Sequence, residues 1–214
     1  MKRSPILLIC LVLLAVLGCA DPAKDKPQAA VDEPAPPPAA PAREEAERYV
    51  LGEGSSIGFV GSKVTGSHEG GFNSFEGEVL VAGGDPTRST VNLTIDATSL
   101  WADDERLTGH LKSPDFFEVE TYPTATFQST AIAAEGDGYL MTGNLTLHGV
   151  TKSIAFPAAI TVEEGRVTAQ AEFAIKRFEF GLEYPGKVDD LIRDDVVIKL
   201  NVVALPAAAD AAAS

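Results

Sequence analysis

Between residues 49 and 205 apolar side chains return at every second position, and this period restricts the fold more than any other feature. Val91, Leu93, Ile95 and Ala97 alternate with Thr90, Asn92, Thr94 and Asp96, and Val167, Ala169, Ala171, Phe173 and Ile175 alternate with Thr168, Gln170, Glu172 and Lys176. Successive side chains of a strand point to opposite faces, so each run reads as an antiparallel strand with one face buried. Similar runs span 57–64, 77–82, 125–133, 139–147, 150–162 and 196–204, and turn residues separate them at Gly83-Gly84-Asp85-Pro86, Asp137-Gly138 and Glu164-Gly165. The expected fold is all-β. About eight strands, several near ten residues long, are long for an open sheet but suit a closed antiparallel barrel, just wide enough to be filled by side chains or to hold one small ligand.

One segment breaks the period. Asp103, Asp104 and Glu105 put negative charge where a helix begins, Leu107 and Leu111 are four apart, Lys112 falls in the last turn and Pro114 stops the run. A single short helix inserted between strands is expected here, with His110 on the same inward face as the two leucines.

The ends of the chain have a different character. Lys2 and Arg3 precede an almost wholly apolar stretch at 6–17, followed by Leu17-Gly18-Cys19, the layout of a secretory signal over residues 1–18. A small residue before cysteine resembles the bacterial lipobox, which makes Cys19 the expected lipidation site and the mature N-terminus. The implied location is the envelope of a Gram-negative-type bacterium, as a periplasm-facing or outer-membrane lipoprotein. Residues 21–48 are rich in Pro, Ala and acidic groups, with too few large apolar side chains to offset ordering entropy. Residues 19–48 are therefore expected to be a disordered tether, reaching on the order of 80 Å if polyproline-like. The alanine-rich stretch 206–214 is expected to fray.

Charge and cysteine content exclude several functions. Once the signal is removed, 31 acidic residues face 15 basic ones, a balance that repels phosphate backbones and argues against a nucleic-acid partner. Cys10 lies in the signal and Cys19 is consumed by lipid, so no thiol remains for a disulfide, redox pair or zinc site. His68, His110 and His148 are too widely spaced for a local metal motif, and no metal or other cofactor is expected.

Two patterns resemble catalytic sets. His110, Ser113 and Asp115 lie close in sequence, but Ser113 only ends a helix, whereas a nucleophile needs a strained turn facing an oxyanion hole. The G-x-S-x-G at 54–58 lacks the strand before it and the helix after it that a nucleophile elbow requires. No catalytic residues are assigned.

Several further stretches are GSH at 66–68 leading to FNSFEG at 72–77, LTGHLKSPDFF at 107–117, YPTATF at 122–127, GNLTLHGVTK at 143–152 and FEFG at 178–181. Taken together they resemble the YceI-like family of lipid- and polyisoprenoid-binding proteins. Many members carry arginine three residues before the histidine of the second motif, where this chain has Leu107. The resemblance implies an extended lipocalin-like barrel over 49–205, holding an isoprenoid lipid such as a quinone or a polyprenyl diphosphate, with the 107–117 segment shaping one barrel end. On that reading His110, Lys112 and Arg177 are candidate headgroup contacts, and Phe116, Phe117, Phe127, Phe173 and Phe180 are candidate walls for the apolar chain. The alternative is an interaction or stress-protective lipoprotein whose barrel is filled by its own side chains; small inward residues (Ala97, Gly143, Ala169, Ala171) lean toward a cavity. The oligomeric state, a homodimer included, is left open.

Overall fold

The computed structural model describes residues 21–37 and 46–208. The strands, in chain order, are β1 (Ala30–Asp32), β2 (Ala46–Leu51), β3 (Ser56–Lys63), β4 (Gly66–Phe72), β5 (Phe75–Ala82), β6 (Asp85–Asp96), β7 (Leu100–Ala102), β8 (Thr124–Glu135), β9 (Gly138–Leu147), β10 (Val150–Glu163), β11 (Arg166–Lys176), β12 (Gly186–Lys187), β13 (Asp190–Leu191) and β14 (Asp195–Pro206). One helix, α1 (Glu105–Lys112), stands between β7 and β8, and short 3-10 turns cover Ala97–Ser99 and Arg177–Phe180. The period of two and the single break in it thus become strands and helix where expected, except that Ala97 leaves its strand for a 3-10 turn.

The ring closes in the order β10-β9-β8-β6-β5-β2-β14-β11 and back to β10, every neighbour antiparallel. It is a closed eight-stranded barrel. β2 and β3 lie along β14 one after the other, β2 meeting its last residues and β3 its middle, so that β3, β4 and β7 extend the wall beside α1. The β5–β6, β8–β9 and β10–β11 turns gather at one end. The β3–β4 turn, α1, the 177–192 loop and the β9–β10 turn gather at the other, called here the helix end.

Local chemistry explains how the helix end is built. Asp104 caps α1 by accepting from the Leu107 amide at 2.9 Å, which pairs an amide the first turn leaves free. Leu111 of α1 then packs with Leu100 and Phe116, supported by Phe59, Phe72, Phe117, Tyr184 and Ile192. In the β9–β10 turn both central residues, His148 and Gly149, have positive φ (50° and 74°), the twist a two-residue hairpin needs.

The N-terminal segment does not behave as a free tether. β10 and β11 pair only over 159–163 and 166–170, then diverge, and residues 27–32 occupy the gap. On one side β1 pairs with β10, Ala30 opposite Ala155 and Asp32 opposite Ser153; on the other the Ala29 amide donates to the Ala174 carbonyl at 2.9 Å and the Ala174 amide to Pro27 at 2.8 Å. Ala29 is buried in the main core, with Val31 packed against it. The segment forms a ninth stave over the helix-end half of the wall. Ion pairs fasten it further, Asp21 to Arg193 at 3.1 Å, Lys26 to Glu172 at 2.8 Å and Glu33 to Lys152 at 2.9 Å. Taken alone the segment has too little apolar surface to order, but two open strand edges supply the hydrogen bonds that a proline-rich stretch cannot make with itself.

At the other terminus Pro206 still pairs with Tyr49, and the Ala207 amide donates to Arg48, so the frayed tail does not begin at 206. The signal sequence, Cys19, residues 38–45 and residues 209–214 lie outside the described residues.

Candidate functional site

The barrel interior is hollow. A cavity of ≈380 Å³ runs along it, lined by inward residues of nearly every strand. Alternation sets which residues face it: Val91, Leu93 and Ile95 of β6, Ile154, Phe156 and Ala158 of β10, and Val196, Ile198 and Leu200 of β14 all line the cavity, while the residues between them point away from it. Ala169 and Ala171 line it as well, and their small side chains leave space. Gly143 does not contribute in this way, because the Phe127 ring already lies where its Cβ would stand. Gly61 does, since a Cβ there would meet nothing within 4 Å. The volume falls within the range of about 300–1,000 Å³ typical of small-molecule sites.

Among the aromatic residues expected to line a site, Phe116, Phe117, Phe127 and Phe173 do so. Phe156, which the sequence reading passed over, stacks face to face on Phe173 with ring centroids 4.0 Å apart, across the gap that β1 fills. Phe180 is fully buried in the core beside the cavity and is not part of its lining.

The expected headgroup contacts fare differently. His110 and Lys112 are not on the cavity wall. The His110 ring is edge-on to Phe116 and Tyr184, and its Nε2 is 2.9 Å from Asp115, so it belongs to the rim of the helix end. Helical spacing from Leu107 misplaced it, since a helix of eight residues gives no constraint on how the following loop wraps around it. Ser113 Oγ donates to the His110 carbonyl at 2.8 Å and the imidazole faces Asp115, so no serine–histidine pair forms.

Arg177 does border the cavity, but its guanidinium is committed. Nε donates to the Arg193 carbonyl at 3.0 Å, Nη2 to Ile192 at 3.3 Å and Nη1 to Leu182 in a short contact. It fastens the 182–193 loop to the barrel. Burial lowers its pKa from the ordinary guanidinium value, with Asp194 acting in the opposite sense.

Besides Arg177 and Ser62, the polar side chains that reach the wall at the helix end are Lys63 and His68, both partly exposed. Lys63 Nζ lies 2.6 Å from Asp190, and His68 Nδ1 lies 2.8 Å from Asp103. The Lys63 ammonium holds the Asp190 carboxyl below its usual range, helped by Thr65. His68 sits opposite the open space at Gly61 in the β3–β4 register. It was legible only as a widely spaced histidine, because its position depends on that cross-strand pairing. Among the described residues no cluster of His, Cys, Asp and Glu could hold a metal ion.

The YceI-like domain matches residues 49–204, nearly the whole barrel, from within β2 to two residues before the end of β14. The chain belongs to the YceI-like family. Curated relatives include a UPF0312 protein of Pectobacterium atrosepticum, 37% identical over 120 residues, which covers 53% of this chain and 62% of the relative. Another, from Pseudomonas putida, is 31% identical over 137 residues, covering 61% of this chain and 71% of its own length. Among solved structures, Burkholderia cenocepacia BcnA superimposes with a TM-score of 0.61 at 28% identity, over 70% of this chain and 95% of that one. A polyisoprenoid binding domain from Saccharophagus degradans gives the same TM-score at 20% identity, over 76% of this chain and 99% of that one, and at that identity shares the YceI-like fold.

Proposed function

We propose that this chain is a binding protein for an isoprenoid lipid of the quinone or polyprenyl diphosphate class, which it sequesters or carries in the bacterial cell envelope. The observation that carries the reading is the cavity, long, apolar and open in volume where a filled barrel would hold side chains. A branched hydrocarbon chain matches walls of Ile, Leu, Val, Ala and Phe, and the Saccharophagus degradans neighbour is described as a polyisoprenoid binding domain. Lys63 and His68 stand where a polar headgroup would emerge. Lipidation at Cys19 and an envelope location, with the outer membrane favoured, rest on the lipobox-like sequence and complete the reading. On this reading the chain is a carrier, and Ser113 Oγ, which donates to the His110 carbonyl, is a structural contact.

The magnitudes favour a ligand of several isoprene units. At roughly 0.8 kcal/mol per buried carbon, one five-carbon unit contributes about 4 kcal/mol. Association costs about 4–15 kcal/mol, so a single unit does not bind, whereas about four units outweigh even the upper end of that cost. The test is to purify the full chain without detergent, extract it with organic solvent and analyse the extract by mass spectrometry. A stoichiometric quinone or polyprenyl species is expected. Clean extracts, together with failure to take up added quinone, would overturn the proposal.

A further inference from the structure

The docked N-terminal segment changes where a lipid anchor must lie. Asp21, the first described residue, is ion-paired to Arg193, and Cys19 is two residues upstream, hence at most about 7 Å further along the chain. The anchor therefore emerges beside the helix end, and the stretch after it is bound into the wall instead of spacing the barrel from the membrane.

The surface at that end is apolar at its tips. Val188 is 97% exposed, Val64 56% and Leu191 51%. They form one group, because the Val64 amide donates to the Leu191 carbonyl at 3.2 Å and Lys63 and Thr65 both reach Asp190. Val188 stands at the turn of the β12–β13 hairpin. The same two segments supply Lys63 and Ile192 to the cavity wall, and Arg177 holds the hairpin loop in place. Within 186–195, Lys187 and Arg193 face Asp189, Asp190, Asp194 and Asp195, so there is no surplus of positive charge to attract anionic lipid.

We propose that the rim formed by Val64, Val188 and Leu191 is a membrane-docking surface, seating the helix end of the barrel on the bilayer next to the anchor at Cys19. The occupant is a lipid surface, since the anchor beside this rim can deliver only that. The docking works by shallow insertion of apolar side chains, and a neutral bilayer suffices. Its consequence is that a lipid tail passes between bilayer and cavity at the Lys63–His68 end without crossing open water. The inference rests on the lipoprotein reading of Cys19.

The experiment uses the lipidated full chain on phosphatidylcholine vesicles. Single cysteines are introduced by Val188→Cys on the rim and Glu164→Cys on the β10–β11 turn at the opposite end, and each is labelled with an environment-sensitive dye. The label at 188 is expected to shift to the blue and to be quenched by spin-labelled lipid, several-fold more than the label at 164. Equal quenching at both sites by vesicle-bound protein would overturn the docking surface while leaving the anchor intact. Failure of the protein to float with vesicles would overturn the anchor and the docking surface together. A second variant, Val188→Asp with Leu191→Asp, changes exposed side chains only, and with the dye moved to Val64→Cys it is expected to abolish the blue shift while flotation persists.

Discussion

Arg177 illustrates how a residue's surroundings can give its charge another task. The family resemblance offers this cation as a headgroup contact, yet the fork of N–H donors is directed at three carbonyls of the 182–193 loop. Each buried carbonyl left unpaired costs about 1–3 kcal/mol, so Arg177→Met is expected to destabilise the barrel by about 3 kcal/mol or more. His110, by contrast, lies on a half-exposed rim bonded to Asp115, where pairs contribute about 0–1 kcal/mol. The His110→Ala variant should therefore leave both stability and lipid uptake nearly unchanged. Denaturant unfolding of the two variants checks both statements, and a large loss of quinone binding in His110→Ala with normal stability would restore that histidine to the site.

At the scale of elements, the alternating runs were legible because each carries its own period. The barrel strands appear where Val91, Leu93 and Ile95, or Phe173 and Ile175, set the inward face. The N-terminal stave was not legible, since β1 has three residues and takes its stability from β10 and β11. A trace of it was present all the same. Ala174 and Val197 fall at outward positions of β11 and β14, opposite each other, yet both are buried; an outward face open to water would carry polar residues there. The lining polar groups Lys63 and His68 were hidden for a related reason, since register between β3 and β4 decides which residues share a face. The stave is held by few contacts relative to the ring, so it should be separable from it. Replacing Ala29 with aspartate puts a charge into the core at the gap and is expected to release residues 27–33 while the eight-stranded ring persists. Hydrogen exchange read by mass spectrometry should show lost protection at 29–32 and retained protection in β8 and β9. Unchanged protection of the stave, or collapse of the whole barrel, would show that it is not a separable element.

At the scale of the whole molecule, the barrel couples the length of a ligand to its affinity. The cavity touches residues from both ends, from Lys63 and Ile192 at the helix end to Pro86 and Val162 toward the other, so a longer chain continues to find apolar wall. Each added isoprene unit is worth up to about 4 kcal/mol by area, reduced by the entropy of ordering it. Even about 1.4 kcal/mol net per unit gives tenfold in affinity, so quinones with successively longer side chains should bind progressively more tightly until the cavity is full. Gly61 offers a way to shorten the cavity without disturbing the wall, because a side chain there enters open space and the backbone is not in a left-handed conformation. Gly61→Trp is therefore expected to fold normally, to lower the affinity for long-chain quinone by tenfold or more, and to level the dependence on chain length. Titration of a homologous quinone series against both proteins checks this. A wild-type affinity indifferent to chain length would mean that the headgroup alone is recognised at the rim, and would locate binding outside the barrel.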